Sequence, residues 1–148
     1  MQRIDYVKTL EEFLLIEDIG KNLARFTKNG FKIIVITNQS AINRGLMTEM
    51  ELDKIHKFMI DELYKYGCVI DAIYFCPHKP EDNCDCRKPK TALFKKALDV
   101  FSPYDLKKSW MIGDSISDIE AAVSLGIKGI KIKSNQNIQK EVDKILSF

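Results

Sequence analysis

Hydrophobic positions along the chain switch between two periods. Residues 31–36 (FKIIVI) form a short continuous apolar run, the pattern of a strand buried on both faces. Residues 70–75 and 110–112 repeat it, and so do residues 127–132, interrupted by Lys128 and Lys131. Between these runs the spacing becomes helical. Ile16, Ile19, Leu23 and Phe26 recur every three or four residues, and Asn29-Gly30 supplies a C-terminal stop. Thr48 reads as an N-cap with Glu51 completing a capping box, and Leu52, Ile55, Met59, Leu63 and Tyr66 face inward until Gly67. Further helices are predicted over 89–101, over 117–125 before Gly126, and from Asn137 to the end. Pro89 would then open the third helix, with Arg87 and Lys88 at its start. Strands alternating with helices predict parallel β/α units in an open, doubly wound sheet. One α/β domain over residues 1–148 is expected, with ligands bound beyond the carboxyl ends of the strands.

Composition narrows the classes. The 148 residues are 45% hydrophobic and 30% charged, which excludes a disordered chain. A net charge of +2 gives no electrostatic reason to expect nucleic acid or an anionic membrane as partner. No apolar run approaches the ~18 residues of a membrane span. A soluble, cytoplasmic protein without a leader is the expectation.

The candidate chemistry follows the strands. The first predicted strand exits into Thr37-Asn38-Gln39-Ser40 and then Arg44-Gly45. Hydroxyls, amides and backbone N–H groups there can receive an anion, with Arg44 as a bidentate donor; alone, the segment also reads as a solvated turn. The second exits into Cys76-Pro77-His78, five residues, then Cys84-Asp85-Cys86. Three thiolates and one imidazole form a soft donor set that suits tetrahedral zinc, and four protein ligands would make the ion structural. A disulfide is disfavoured in a reducing compartment. Cys68 reads as a packing residue and His56 as a surface or half-buried helical one. Arg87-Lys88 follows the last ligand and fits either an anion site or a solvated basic turn. The third strand ends in Gly113-Asp114-Ser115-Ile116-Ser117-Asp118. Asp114 at a strand tip suits Mg²⁺, or caps the next helix, as Ser117 would.

Taken together, TNQSAINRG, CPHKPEDNCDCRKP and GDSISD resemble the haloacid dehalogenase (HAD) superfamily, in their order and spacing. The metal loop narrows the resemblance to the heptose 1,7-bisphosphate and histidinol-phosphate phosphatases. The resemblance implies a three-layer, Rossmann-like fold with a mostly parallel sheet. It implies structural Zn²⁺ on Cys76, His78, Cys84 and Cys86, and a phosphate-holding motif at Thr37, Asn38 and Ser40. Arg87 would contact substrate, Lys88 would neutralise charge near the nucleophile, and Asp114 would ligate catalytic Mg²⁺, with Asp118 in the same acidic loop. The substrate would be a small phosphorylated metabolite.

Two departures stand out. Ser115 replaces the basic residue usual after the glycine-aspartate pair. More consequentially, the family's first strand ends in Asp-x-Asp, whose aspartates are nucleophile and general acid/base. No two aspartates of this chain lie two residues apart. Residues 1–7 (MQRIDYV) resemble the segment that follows that motif. The missing strand would lie between the runs 31–36 and 110–112, leaving two strand edges exposed. The resemblance thus implies that Met1 is an internal methionine of a longer protein, and that the chain as given is inactive. The alternative is a pseudophosphatase: a zinc-stabilised module that binds phosphorylated ligands or a partner.

Overall fold

A computed structural model describes residues 15–148; the segment 1–7 discussed above lies outside them. The order is α1 (Ile19–Lys28), β1 (Ile34–Asn38), α2 (Glu49–Tyr64), β2 (Ala72–Cys76), α3 (Ala92–Val100), β3 (Trp110–Gly113), α4 (Ile116–Ser124), β4 (Lys128–Lys131) and α5 (Gln139–Leu146). The alternation read from the pattern is present, with shifted boundaries.

Each shift follows from a specific contact. The run 31–36 yields a ladder only from Ile34. Phe31 is used by the end of α1, where its N–H donates to the Phe26 carbonyl and its ring meets Phe26 edge-on. Ile33 is used by Asp71: the Ile33 N–H donates to Oδ2 at 2.7 Å and the Asp71 N–H donates back to the Ile33 carbonyl at 2.8 Å. The capping box of α2 forms as expected, with Thr48 and Glu51 exchanging hydrogen bonds. Tyr66 does not face inward within that helix; it lies past its end and is exposed, its ring against Gly20. Pro89 does not open α3, which begins at Ala92 after Thr91. A turn closes first, from the Lys90 N–H to the Arg87 carbonyl. Arg87 and Lys88 therefore precede the helix rather than occupying its N-terminus.

The sheet is divided where a central strand is expected to be missing, between the runs 31–36 and 110–112. Among the described residues β1 pairs in parallel with β2, β3 in parallel with β4, and each pair forms its own two-stranded sheet. Helical layers nevertheless span both pairs. On one face α1 and α5 bring Phe26, Val142 and Ile145 against Ile33 before β1 and against Trp110 and Ile112 of β3. On the other, Phe94 of α3 and Ala121 and Ala122 of α4 pack against Ile36 of β1 and Met111 of β3. α2 covers the β1–β2 pair, with Leu63 and Cys68 against Val35 and Ile73. The architecture is three-layered, and among the described residues no strand joins β1 to β3; this unpaired place is the slot. Every residue of β1 and β3 is half-buried, not enclosed on both faces as the apolar runs suggested. Cys68 is fully buried and is a packing residue as expected; burial pushes its thiol up to about 11. β4 keeps its lysines outward on an exposed edge. Lys128 stands over the Trp110 ring at 4.8 Å, and Phe148 packs edge-on against the same indole at 5.1 Å. Among the described residues no helix is long and apolar enough to cross a membrane.

Candidate functional site

Two clusters meet beyond the carboxyl ends of β1 and β2. The first is the loop leaving β2. Cys76 is the last residue of that strand, which fixes one thiol rigidly. A single 3-10 turn, Pro80–Asp82, then reverses the chain so that Cys84 and Cys86 return to it. The Cys76, His78, Cys84 and Cys86 donor atoms all lie within 4.8 Å of one another. His78 Nδ1 is 3.4 Å from the Cys76 sulfur and 3.2 Å from that of Cys86, and the Cys76 and Cys84 sulfurs are 3.5 Å apart. A tetrahedral ion with ~2.3 Å bonds to sulfur sets its ligand atoms ~3.8 Å apart; the Cys76 and Cys86 sulfurs are closer than that, at 2.8 Å, and the fit rests on the soft donor set and its gathering within 4.8 Å. The thiols pull in opposite directions. Burial, then the adjacent sulfurs, pushes Cys86 up to about 12, and burial also raises Cys76. Burial acts upward on Cys84 too, but the Arg87 backbone N–H and the neighbouring thiols outweigh it and bring Cys84 down to about 6. Three crowded sulfurs cannot all ionise unless a cation sits among them.

The second cluster centres on Lys88. Its side chain is 11% exposed and its ammonium pairs with the Asp118 carboxylate, itself 5% exposed. The same ammonium donates to the Ile36 carbonyl of β1 at 3.2 Å. The Lys88 N–H donates to Asn38 Oδ1 at 3.1 Å. A cation is thus held across the mouth of the slot, bonded to β1 on one side and α4 on the other. Thr37 and Asn38 end β1 beside it, with Gln39 donating to the Thr37 hydroxyl at 3.1 Å. Ser40 is buried and Arg44 is exposed. Arg87 donates from Nη1 to the His78 carbonyl at 3.3 Å, which ties it to the first cluster.

The acidic loop divides its two carboxylates. Asp114 is exposed and accepts from the Ser134 hydroxyl at 3.0 Å. Asp118 turns inward and also accepts the Ser115 N–H at 3.2 Å, while Ser115 Oγ receives the Asp118 N–H. Ser115 is therefore the N-cap of α4, in place of Asp114 or Ser117. The Ser-x-x-Asp spacing carried that signal unread. Gly113 is required here, because a Cβ on it would overlap the Asp118 carboxylate. With Asp118 engaged by Lys88, Asp114 is the carboxylate left at the β3 tip, and one such ligand does not by itself hold Mg²⁺.

The HAD-hydrolase-like family model matches residues 85–146, from within the metal loop into α5. The chain is 43% identical over 109 residues to a probable D-glycero-D-manno-heptose-1,7-bisphosphate 7-phosphatase of Thermoplasma volcanium, covering 74% of each chain. It is 36% identical to the D-glycero-beta-D-manno-heptose-1,7-bisphosphate 7-phosphatase of Haemophilus ducreyi, over 94% of this chain and 80% of that one. The chain belongs to the HAD-like phosphatases. A member of known structure, the D,D-heptose 1.7-bisphosphate phosphatase from B. bronchiseptica complexed with magnesium and phosphate, has a TM-score of 0.87 and 25% identity, covering 99% of this chain and 92% of that one. HAD-like membership agrees with the three-layer architecture and with placing the polar residues at the carboxyl ends of the strands.

Proposed function

We propose that this chain carries the phosphate-recognising and metal-stabilised part of a phosphatase for a small phosphorylated sugar, a heptose 1,7-bisphosphate or a close relative. The observation that carries this is Lys88 at the mouth of the slot, its ammonium fixed between the Ile36 carbonyl and the Asp118 carboxylate and its backbone N–H held by Asn38 Oδ1. A buried, oriented cation at that edge is suited to a phosphoryl oxygen. In this reading Thr37, Asn38 and Ser40 receive the phosphate at the end of β1. Arg87, and Arg44 on the adjoining loop, supply guanidinium contacts. Zn²⁺ would occupy the Cys76, His78, Cys84, Cys86 set and hold the loop that has no core of its own. Mg²⁺, when bound with Asp114 and further ligands, supplies Lewis-acid stabilisation of the developing charge.

The chain has no Asp-x-Asp pair, and transfer through an aspartyl-phosphate needs a carboxylate nucleophile. We therefore expect negligible turnover from these 148 residues alone. That same absence favours the second reading, a phospholigand-binding module without catalysis. One assay separates them: phosphate release from heptose 1,7-bisphosphate and from generic phosphate esters, with and without Mg²⁺. It compares this chain with one extended by a strand ending in Asp-x-Asp-Gly. Mg²⁺-dependent activity in the extended form alone supports the phosphatase; inactivity of both supports the binding module. Robust turnover by the chain alone would mean that another carboxylate does the chemistry.

A further inference from the structure

The loop after β1 and the metal loop are laced together along their backbones. The Gln39 N–H donates to the Cys76 carbonyl at 2.7 Å, and the Asn43 N–H to the Pro77 carbonyl at 3.3 Å. Asn43 Nδ2 donates to Asp82 Oδ2 at 3.0 Å, across 39 residues of sequence. That carboxylate oxygen also accepts the Lys79 N–H at 2.8 Å, closing the turn that separates the two ligand pairs. On the other flank Arg87 donates to the His78 carbonyl, and the Lys90 ammonium donates to the Cys84 carbonyl. Both candidate phosphate-contacting segments, residues 37–45 and Arg87-Lys88, therefore hang on the backbone between the metal-ligating residues. Among these links the Asp82 carboxylate is a side-chain group that is itself neither metal ligand nor phosphate contact. It can be changed while both sets stay intact.

We propose that Asp82 is a positioning residue that couples the two clusters: it fixes the 37–45 loop to the metal loop, so that metal occupancy and anion occupancy reinforce each other. This rests on the assignment of zinc and phosphate sites made above. Ordering the metal loop places the carbonyls of Cys76, Pro77 and His78. Those carbonyls and Asp82 place Gln39, Asn43 and Arg87. A phosphate held by the segments these residues anchor must then favour the metal-bound geometry by the same factor by which the metal favours phosphate.

The test titrates inorganic phosphate into zinc-loaded protein by calorimetry, and measures zinc affinity by competition with a chromophoric chelator, with and without phosphate. Zinc stays in place in the deciding arm, so a loop that unfolds on stripping cannot mimic the result. Zinc-loaded Asp82→Ala should retain one zinc per chain and an unchanged circular dichroism spectrum, yet bind phosphate about fivefold or more weakly than the parent. Asp82→Asn should restore most of that affinity, because its amide oxygen still accepts from Asn43 and Lys79. In the parent, saturating phosphate should tighten zinc binding; in Asp82→Ala that gain should shrink by the factor lost from phosphate. An Asp82→Ala variant with parental phosphate affinity and parental zinc tightening overturns the coupling and leaves the two sites standing. A zinc-loaded parent that binds no phosphate, or a parent that holds no zinc, overturns the assignment of the sites and the coupling with it.

Discussion

Lys88 and Asp118 form a nearly buried ion pair, and its chemistry is exacting in both directions. Removing one partner strands the other charge away from water, at a typical cost of ~3–5 kcal/mol. Asp118→Ala should therefore lower the unfolding free energy by about 3 kcal/mol in a urea titration, and abolish any rise in melting temperature that phosphate gives the parent. A loss below about 1 kcal/mol would show that Lys88 escapes to solvent and is not held in place. His56 offers a residue-scale test with a different readout. It is half-buried on α2 with its ring edge-on to Phe75, and burial lowers its pKa from the ordinary 6.5 despite the nearby Asp53. The unfolded chain thus binds a proton at a higher pH than the folded one. The neutral imidazole contributes stability that is complete above 6.5 and is lost as pH falls from 6.5 toward the lower folded value. Between pH 7.5 and 5.5 the urea midpoint should fall further for the parent than for His56→Gln, and the difference isolates this group from acid effects on the metal loop.

At the scale of elements, the metal loop carries the clearest prediction. Its turn has no buried residues, so the ion must supply what a core supplies elsewhere. Protein purified without added metal should carry close to one zinc per chain by elemental analysis, and Cys84→Ser should lower both zinc content and melting temperature. Full zinc occupancy in a Cys76/Cys84 double variant would refute the ligand set. This loop was also the most legible part of the sequence, because soft ligands at short spacing leave few alternatives. The capping box at Thr48 and the stop after α1 were legible for the same reason: each is a local hydrogen-bond pattern with its residues adjacent in the chain. What the sequence hid was set at long range. The start of β1 depends on Asp71, far along the chain. The start of α3 depends on how Arg87 and Lys88 are drawn to His78, Asn38 and Asp118. Asp118 read as part of an acidic pair with Asp114, and nothing in a linear pattern says that it turns toward a lysine thirty residues away.

The whole molecule is organised around the slot between its two small sheets. Two helical layers bridge it, but among the described residues the facing edges of β1 and β3 have no strand between them. Unpaired edges flanked by half-buried apolar residues are templates for pairing with another chain. The purified protein should therefore associate as its concentration rises, seen as a growing sedimentation coefficient, and the Asp-x-Asp-Gly extension should suppress that growth. A chain that stays monomeric at high concentration would show that the slot is closed in solution. Trp110 gives a direct view of it. This is the chain's one tryptophan, it stands at the head of β3, and Lys128 and Phe148 lie against its ring. Its fluorescence is a single-site optical signal from β3, the strand that flanks the slot, uncontaminated by any second indole. The emission should shift to the blue when a strand fills the space, and quenching by iodide should weaken at the same time. Closure of the sheet can thus be followed in a cuvette with no label attached.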